Sequence, residues 1–159
     1  MAPASLRPFQ GDDEAAVASL WHRSGLDAYP YLPTWQAFTA QEAARVLHSV
    51  ILPTCELWVA QRDRSIVGYL ALQGSCVDRL YVDPPAQGTG VGTLLLRHAT
   101  ALRPQGLELH THQQNTRARA LYEQHGFVAV RFGVSPPPES APDVEYRWRP
   151  GAHPPGQPG

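Results

Sequence analysis

Two periods of apolar and polar positions run along this chain, and the points where one gives way to the other mark its elements. A short alternation at 5–9 predicts a first strand. Asp12 is placed to cap a helix whose Val17, Leu20 and Trp21 share one face, with Gly25 as its stop. Residues 26–34 form a loop rich in aromatics and proline. Thr39 and Glu42 have the spacing of a capping box for a second helix carrying Ala43, Val46, Leu47 and Val50, which Pro53 ends. The period then shortens. Residues 56–61 and 65–72 read as two strands joined by a polar turn at 62–64, and 76–82 as the next strand. A helix at 93–102, a strand at 107–111, a helix at 116–125 and strands at 127–132 and 143–148 complete the pattern. The proline-rich stretch 135–142 is a loop. This order describes a mixed α/β sheet with helices packed against it.

Composition bounds the reading. The chain has 159 residues, 43% of them hydrophobic, enough for one domain with a real core. The expected domain spans 1–149, and the proline- and glycine-rich tail 150–159 is expected to be disordered. A formal net charge of −1 without charge runs argues against nucleic acid and against an anionic membrane as partners. No apolar run approaches the ~20 residues that span a bilayer. The first ten residues lack an apolar signal core, so the expected location is cytoplasmic. Cys55 and Cys76 lack metal or redox spacing and read as reduced thiols in strands.

The chemistry concentrates in Gln87, Gly88, Thr89, Gly90, Val91 and Gly92, where a strand turns into a helix beginning near Thr93. Glycines there accept positive φ and let a ligand approach the backbone. A helix N-terminus presents free N–H groups and the positive end of the macrodipole, so the segment suits a diphosphate. A P-loop requires Lys-Ser or Lys-Thr after its last glycine, and Thr93-Leu94 stands there instead. A dinucleotide fingerprint requires a third glycine where Thr93 or Leu95 stands.

The spacing Gln87-x-x-Gly90-x-Gly92, preceded by Leu80-Tyr81-Val82-Asp83-Pro84, resembles the acetyl-CoA signature of the GNAT superfamily of acyl-CoA-dependent N-acyltransferases. Downstream, Asn115, Ala118, Leu121-Tyr122 and Gly126-Phe127 resemble the same family's second motif. The close resemblance covers about residues 56–132. It implies a mixed, mostly antiparallel sheet of about six to seven strands flanked by about four helices (α/β, or α+β by some schemes), with one splayed strand pair holding CoA. It implies that pantetheine pairs with main chain near Leu80, Tyr81 and Val82, one of whose N–H groups faces the developing oxyanion. The diphosphate is then held from Gln87 to Thr93, with Ala118 beside the arm and Asn115 bonding the pantetheine or capping the helix. Tyr122 is implied as the acid that protonates the departing thiolate. Pairing of two copies through C-terminal strands is a further implication of the resemblance.

The general base is less determined. Asp78, two residues before Leu80 and so expected on its face, is the first choice, and Glu56 the second. His110 and His112 share a strand face, but two ligands do not make a zinc signature, so they read as pocket or surface histidines and no metal is expected. Asp27, Tyr29, Tyr31, Trp35 and Phe38 are candidates for the acceptor side. The expected function is acetyl transfer from acetyl-CoA to a primary amine of a small molecule or peptide, in a ternary complex. The alternatives are a catalytically silent acyl-CoA-binding module of the same fold and a nucleotide-binding α/β domain.

Overall fold

The computed structural model describes residues 2–151. From residue 152 onward, the tail expected to be disordered lies outside the described residues. Seven strands form one sheet in the order β1-β2-β3-β4-β5-β7-β6. They are β1 (Ser5–Pro8), β2 (Glu56–Arg62), β3 (Ser65–Gln73), β4 (Cys76–Val82), β5 (Leu107–His112), β6 (Val128–Val134) and β7 (Pro142–Trp148). Every pairing is antiparallel except that of β4 with β5.

Two helical layers cover the sheet. On one face α1 (Glu14–Ala28), the short α2 (Pro33–Ala37) and α3 (Ala40–Val46) bury Leu20, Trp21, Trp35 and Leu47 against Val59, Tyr69 and Ala71. On the other, α5 (Val91–Leu102) and α6 (Thr116–Gln124) bury Leu95, Leu96 and Tyr122 against Leu70, Leu72, Leu109 and Tyr146. Burying each such aliphatic side chain contributes roughly 1.5–3 kcal/mol. At the far edge, β6 exposes Val128, Val130, Phe132 and Val134.

Three local expectations are corrected. Asp12 does not cap the first helical run, which starts from Gln10: Asp13 closes a capping box there, its Oδ2 accepting from the Gln10 N–H at 2.8 Å, while its two oxygens take Arg7 Nη1 and Nη2 at 2.7 and 2.8 Å. Gly25 does not stop α1, which continues to Ala28; a Cβ at Gly25 would lie 2.2 Å from the Trp35 ring, so glycine is there for close packing. Pro53 does not end the second helix. Residues Leu47–Ile51 form a π-helical turn in which the Leu52 N–H reaches the Leu47 carbonyl, and Pro53, having no N–H to place, sits inside α4 (Leu52–Thr54). The capping box of Thr39 and Glu42 forms as expected.

Candidate active site

The sheet is open at its centre. β4 and β5 share one register pair, Cys76 with Glu108, tied by the Glu108 N–H to the Ser75 carbonyl at 3.0 Å. Beyond it they diverge and leave the main chain of β4 without a strand partner on that side. A cavity of about 600 Å³ fills the opening and is lined by Leu80, Tyr81, Val82, Gln87, Gly88, Gly90, Gly92, Thr93, Asn115, Ala118 and Tyr122. Of the residues expected on the ligand side, Thr89 and Val91 do not line it. The Thr89 hydroxyl is turned to the Ala86 carbonyl and receives Arg62 Nη1 at 3.1 Å, and Val91 is buried as the first residue of α5.

The glycine segment has the backbone its composition predicts. Gly88 and Gly90 have φ of 76° and 93°, values an L side chain rarely adopts, with open space where a Cβ would stand. Gly90 is the N-cap of α5, and the first N–H to bond back is that of Leu94, to the Gly90 carbonyl at 3.0 Å. Helix geometry leaves the N–H groups of Val91, Gly92 and Thr93 without intrahelical acceptors. Together with the macrodipole they can hold an anionic group. Gln87 is fixed on both sides of its amide: Oε1 accepts from Arg117 Nη1 at 2.6 Å, and Nε2 donates to the Val82 carbonyl at 3.4 Å. Ser24 Oγ donates to that same carbonyl at 3.1 Å, which ties α1 to the end of β4.

Asn115 caps α6 by accepting from the Ala118 N–H at 3.2 Å, and its Nδ2 donates to the Tyr29 hydroxyl at 3.2 Å. Tyr122, about two turns further along α6, is buried against Phe127 and Tyr146. Burial, with Tyr81 and Tyr146 adding, raises its phenol well above the usual tyrosine range, so it stays protonated at neutral pH. A neutral phenol bordering a cavity can give a proton to a departing anion.

A second cavity, of about 700 Å³, adjoins the first: Tyr29, Asp78, Arg79, Tyr81, His110 and Thr111 line both. The aromatic residues Trp35 and Phe38 line this second space while packing edge-on against Trp21. Tyr31 is exposed and Asp27 borders the first cavity. His112 is buried, with its ring 4.4 Å from that of Tyr29 and its Nε2 3.0 Å from Glu139 Oε2. The more open His110 has Nδ1 3.7 Å from Asp143 Oδ2. Among the described residues no three metal-ligating side chains converge.

The base candidates are redistributed. β3 and β4 slip register at a β-bulge: Ala71 faces Arg79, Leu72 faces Val77, and Asp78 is the extra residue. The bulge resets the alternation, so Val77 and Leu80 both pack toward α5 while Arg79 turns to Trp21 in the other layer. Asp78 therefore does not share Leu80's face as simple alternation requires. It stands at the junction of the cavities with its Oδ2 3.6 Å from Arg79 Nε. Glu56 lines neither cavity. Trp58 Nε1 at 2.7 Å and Arg103 Nη2 at 3.0 Å bond its carboxylate and hold its pKa below the usual range, which removes it as a base at this site. Cys55 ends α4 rather than lying in a strand, and Cys76 opens β4. Both thiols are free, and burial pushes Cys76 up to about 11. No helix among the described residues is long and apolar enough to cross a membrane.

Arg79, Trp21 and Thr34 line the second cavity, although the sequence pattern marks none of them as site residues. For Arg79 the signal is the bulge, which pairing with β3 creates and local spacing does not encode; Trp21 and Thr34 are brought there by the packing of α1 and α2. Arg117 lies inside the second motif, but only the fold shows that it reaches Gln87.

Comparison with known proteins agrees with this architecture. Residues 53–129 match the model of the acetyltransferase (GNAT) domain. The peptidyl-lysine N-acetyltransferase YjaB of Salmonella typhimurium is 32% identical over 124 residues, covering 77% of this chain and 82% of that relative. The solution structure of apo YjaB from Escherichia coli superimposes with a TM-score of 0.76 at 27% identity, covering 94% of this chain and 99% of that one. The PaiA N-acetyltransferase of Thermoplasma acidophilum, solved in complex with coenzyme A, shares the fold with a TM-score of 0.68 at 16% identity, covering 92% and 99% of the two chains. This chain belongs to the GNAT acetyltransferase family and is an acyltransferase.

Proposed function

We propose that the protein transfers the acetyl group of acetyl-CoA to a primary amine carried by a small molecule or peptide, by direct attack in a ternary complex. The observation that carries this reading is the parting of β4 from β5 beside a glycine-capped helix N-terminus, with the buried phenol of Tyr122 on the same cavity. The first cavity suits an extended arm ending in a diphosphate. Its orphan N–H groups lie at one end and an unpaired strand edge runs along the middle. The coenzyme A complex of the Thermoplasma relative supports the choice of ligand. The names of the YjaB relatives support an amine acceptor.

In this reading main-chain groups of Leu80, Tyr81 and Val82 hold the pantetheine, and a β4 N–H faces the oxyanion as it forms. Gly88, Gly90, Gly92 and Thr93 border the diphosphate, with Gln87 and Arg117 beside it. The neutral amine attacks the thioester carbonyl from the second cavity, and a C–N bond forms. As the C–S bond breaks, the sulfur takes the Tyr122 proton. The proton lost by the amine goes to Asp78, directly or through water. A thiol-release assay over a panel of amines and peptides tests the reading. Release accelerated by an amine in step with acetylated product supports it. Acetyl-CoA binding with no amine-dependent release contradicts it.

A further inference from the structure

Several buried polar atoms around the second cavity have no partner. Trp21 Nε1, Thr34 Oγ1, Arg79 Nε and His112 Nδ1 lack a hydrogen bond, and all four residues line that cavity, with the Tyr81 hydroxyl close to Trp21 and Arg79. Trp21 is 4% exposed, so its indole N–H is closed off from bulk water. The Arg79 side chain is 26% exposed, and its guanidinium carbon stands 4.6 Å above the Trp21 ring. Its nearest carboxylate oxygen, Asp78 Oδ2, is 3.6 Å from Nε, too far for a hydrogen bond. A buried donor without an acceptor forfeits its hydration with nothing in return, and more so when charged. Several on one wall are better explained as groups awaiting a ligand than as independent faults of packing.

Of the other charges of this cavity, Asp78 stands beside Arg79 and the rest face one another. Glu139 is joined to His112, and Asp143 stands near His110 and gives its carbonyl to Gln113 Nε2 at 2.9 Å. Asp78 is the carboxylate nearest the junction with the first cavity, where the amine must arrive. Asp78 and Arg79 thus stand side by side at the junction, and Trp21 and Thr34 extend a donor wall from Arg79 into the second cavity. A guanidinium is suited to a carboxylate, whose two oxygens its planar fork can bind at once.

We propose that the acceptor is an amino-acid-like molecule, its amine directed to the Asp78 end of the second cavity and its carboxylate bound by Arg79 with the Trp21 N–H and the Thr34 hydroxyl. This inference rests on the acetyl-transfer reading and adds a substrate class to it. A lysine side chain far from any carboxylate fills only the amine end and leaves the donor wall unpaired.

The test compares free acids with their carboxamides. Calorimetry in the presence of CoA measures binding of N-acetyl-phenylalanine and N-acetyl-glycine against the matching N-acetyl carboxamides. Turnover is then measured with the free amino acids, their carboxamides and a lysine peptide blocked at both termini. The expected preference for the acid is about tenfold or more, because a site built around a hydrogen-bonding group rejects analogues that lack it. Arg79→Gln should bring that ratio close to one, Arg79→Lys should restore part of it, and Thr34→Val should reduce it. Thermal unfolding separates these effects from loss of fold. Equal affinity for acid and amide, no binding of either, or an acid preference that survives Arg79→Gln overturns the inference. Amine-dependent thiol release tests the transfer reading independently, since the acid-to-amide ratio can fail while release remains.

Discussion

Asn115 joins the start of α6 to the end of α1: its Nδ2 donates to the Tyr29 hydroxyl at 3.2 Å while its Oδ1 caps the helix through the Ala118 N–H. One side chain thus fixes the helix carrying Tyr122 against a residue shared by both cavities. Asn115→Ala removes the cap and the link together and should lower stability by about 1 kcal/mol or more. Tyr29→Phe removes only the link and should cost less, about 0.5–1 kcal/mol. Urea denaturation of the two variants checks the order. An equal or reversed order would show that the cap is not the larger contribution.

Tyr122→Phe deletes one hydroxyl and little contact area. Turnover should fall by about 10²-fold or more, in the range typical of a positioned acid. The CoA dissociation constant should change little. Calorimetry alongside steady-state kinetics separates the two quantities, and an unchanged turnover, where chemistry limits the rate, removes Tyr122 as the acid.

Gly25 and Gly90 are both glycines for structural reasons, but the reasons differ. A Cβ at Gly25 would stand 2.2 Å from Trp35, so Gly25→Ala should destabilise by roughly 1–3 kcal/mol through forced repacking. At Gly90 there is room for a Cβ, but φ is 93°, so Gly90→Ala should cost about 1–2 kcal/mol in backbone strain. Only the Gly90 variant should also weaken CoA binding directly. Comparing melting temperature with CoA affinity for each variant distinguishes a packing glycine from a ligand-side glycine.

Acid sensitivity should centre on Asp13. The Arg7 guanidinium, helped by the Gln10 N–H, holds its carboxyl below the ordinary 3.8. A carboxyl whose folded pKa is depressed contributes stability above its unfolded pKa and loses it as pH falls through the folded one. Asp13→Asn should therefore cost about 1.5–3 kcal/mol at neutral pH, and the gap to the parent protein should close as pH drops below that value. A pH series of denaturation curves checks this, and a gap independent of pH would assign the effect to packing.

The strands and the two family motifs were legible because each is written in local spacing. The capping box of Thr39 and Glu42, the turn into α5 and the N-cap of α6 at Asn115 all depend on residues within a few positions of one another. What escaped depends on partners distant in sequence. Gly25 looks like a helix stop until Trp35 is folded onto it. Pro53 looks like a terminator until the π-helical turn at Leu47–Ile51 removes the demand for its missing N–H. Asp78 looks like a neighbour of Leu80 until pairing with β3 inserts a bulge and turns Arg79 onto Trp21. The lining of the first cavity was therefore readable from motifs. That of the second arises from register and from packing between layers.

A crystal structure of the protein with CoA bound tests the central claim most directly. The account predicts the pantetheine arm between β4 and β5, the diphosphate against the N–H groups at the start of α5, and the sulfur within hydrogen-bonding distance of the Tyr122 hydroxyl. A diphosphate bound away from Gly88, Gly90 and Gly92, or a sulfur remote from Tyr122, would contradict it.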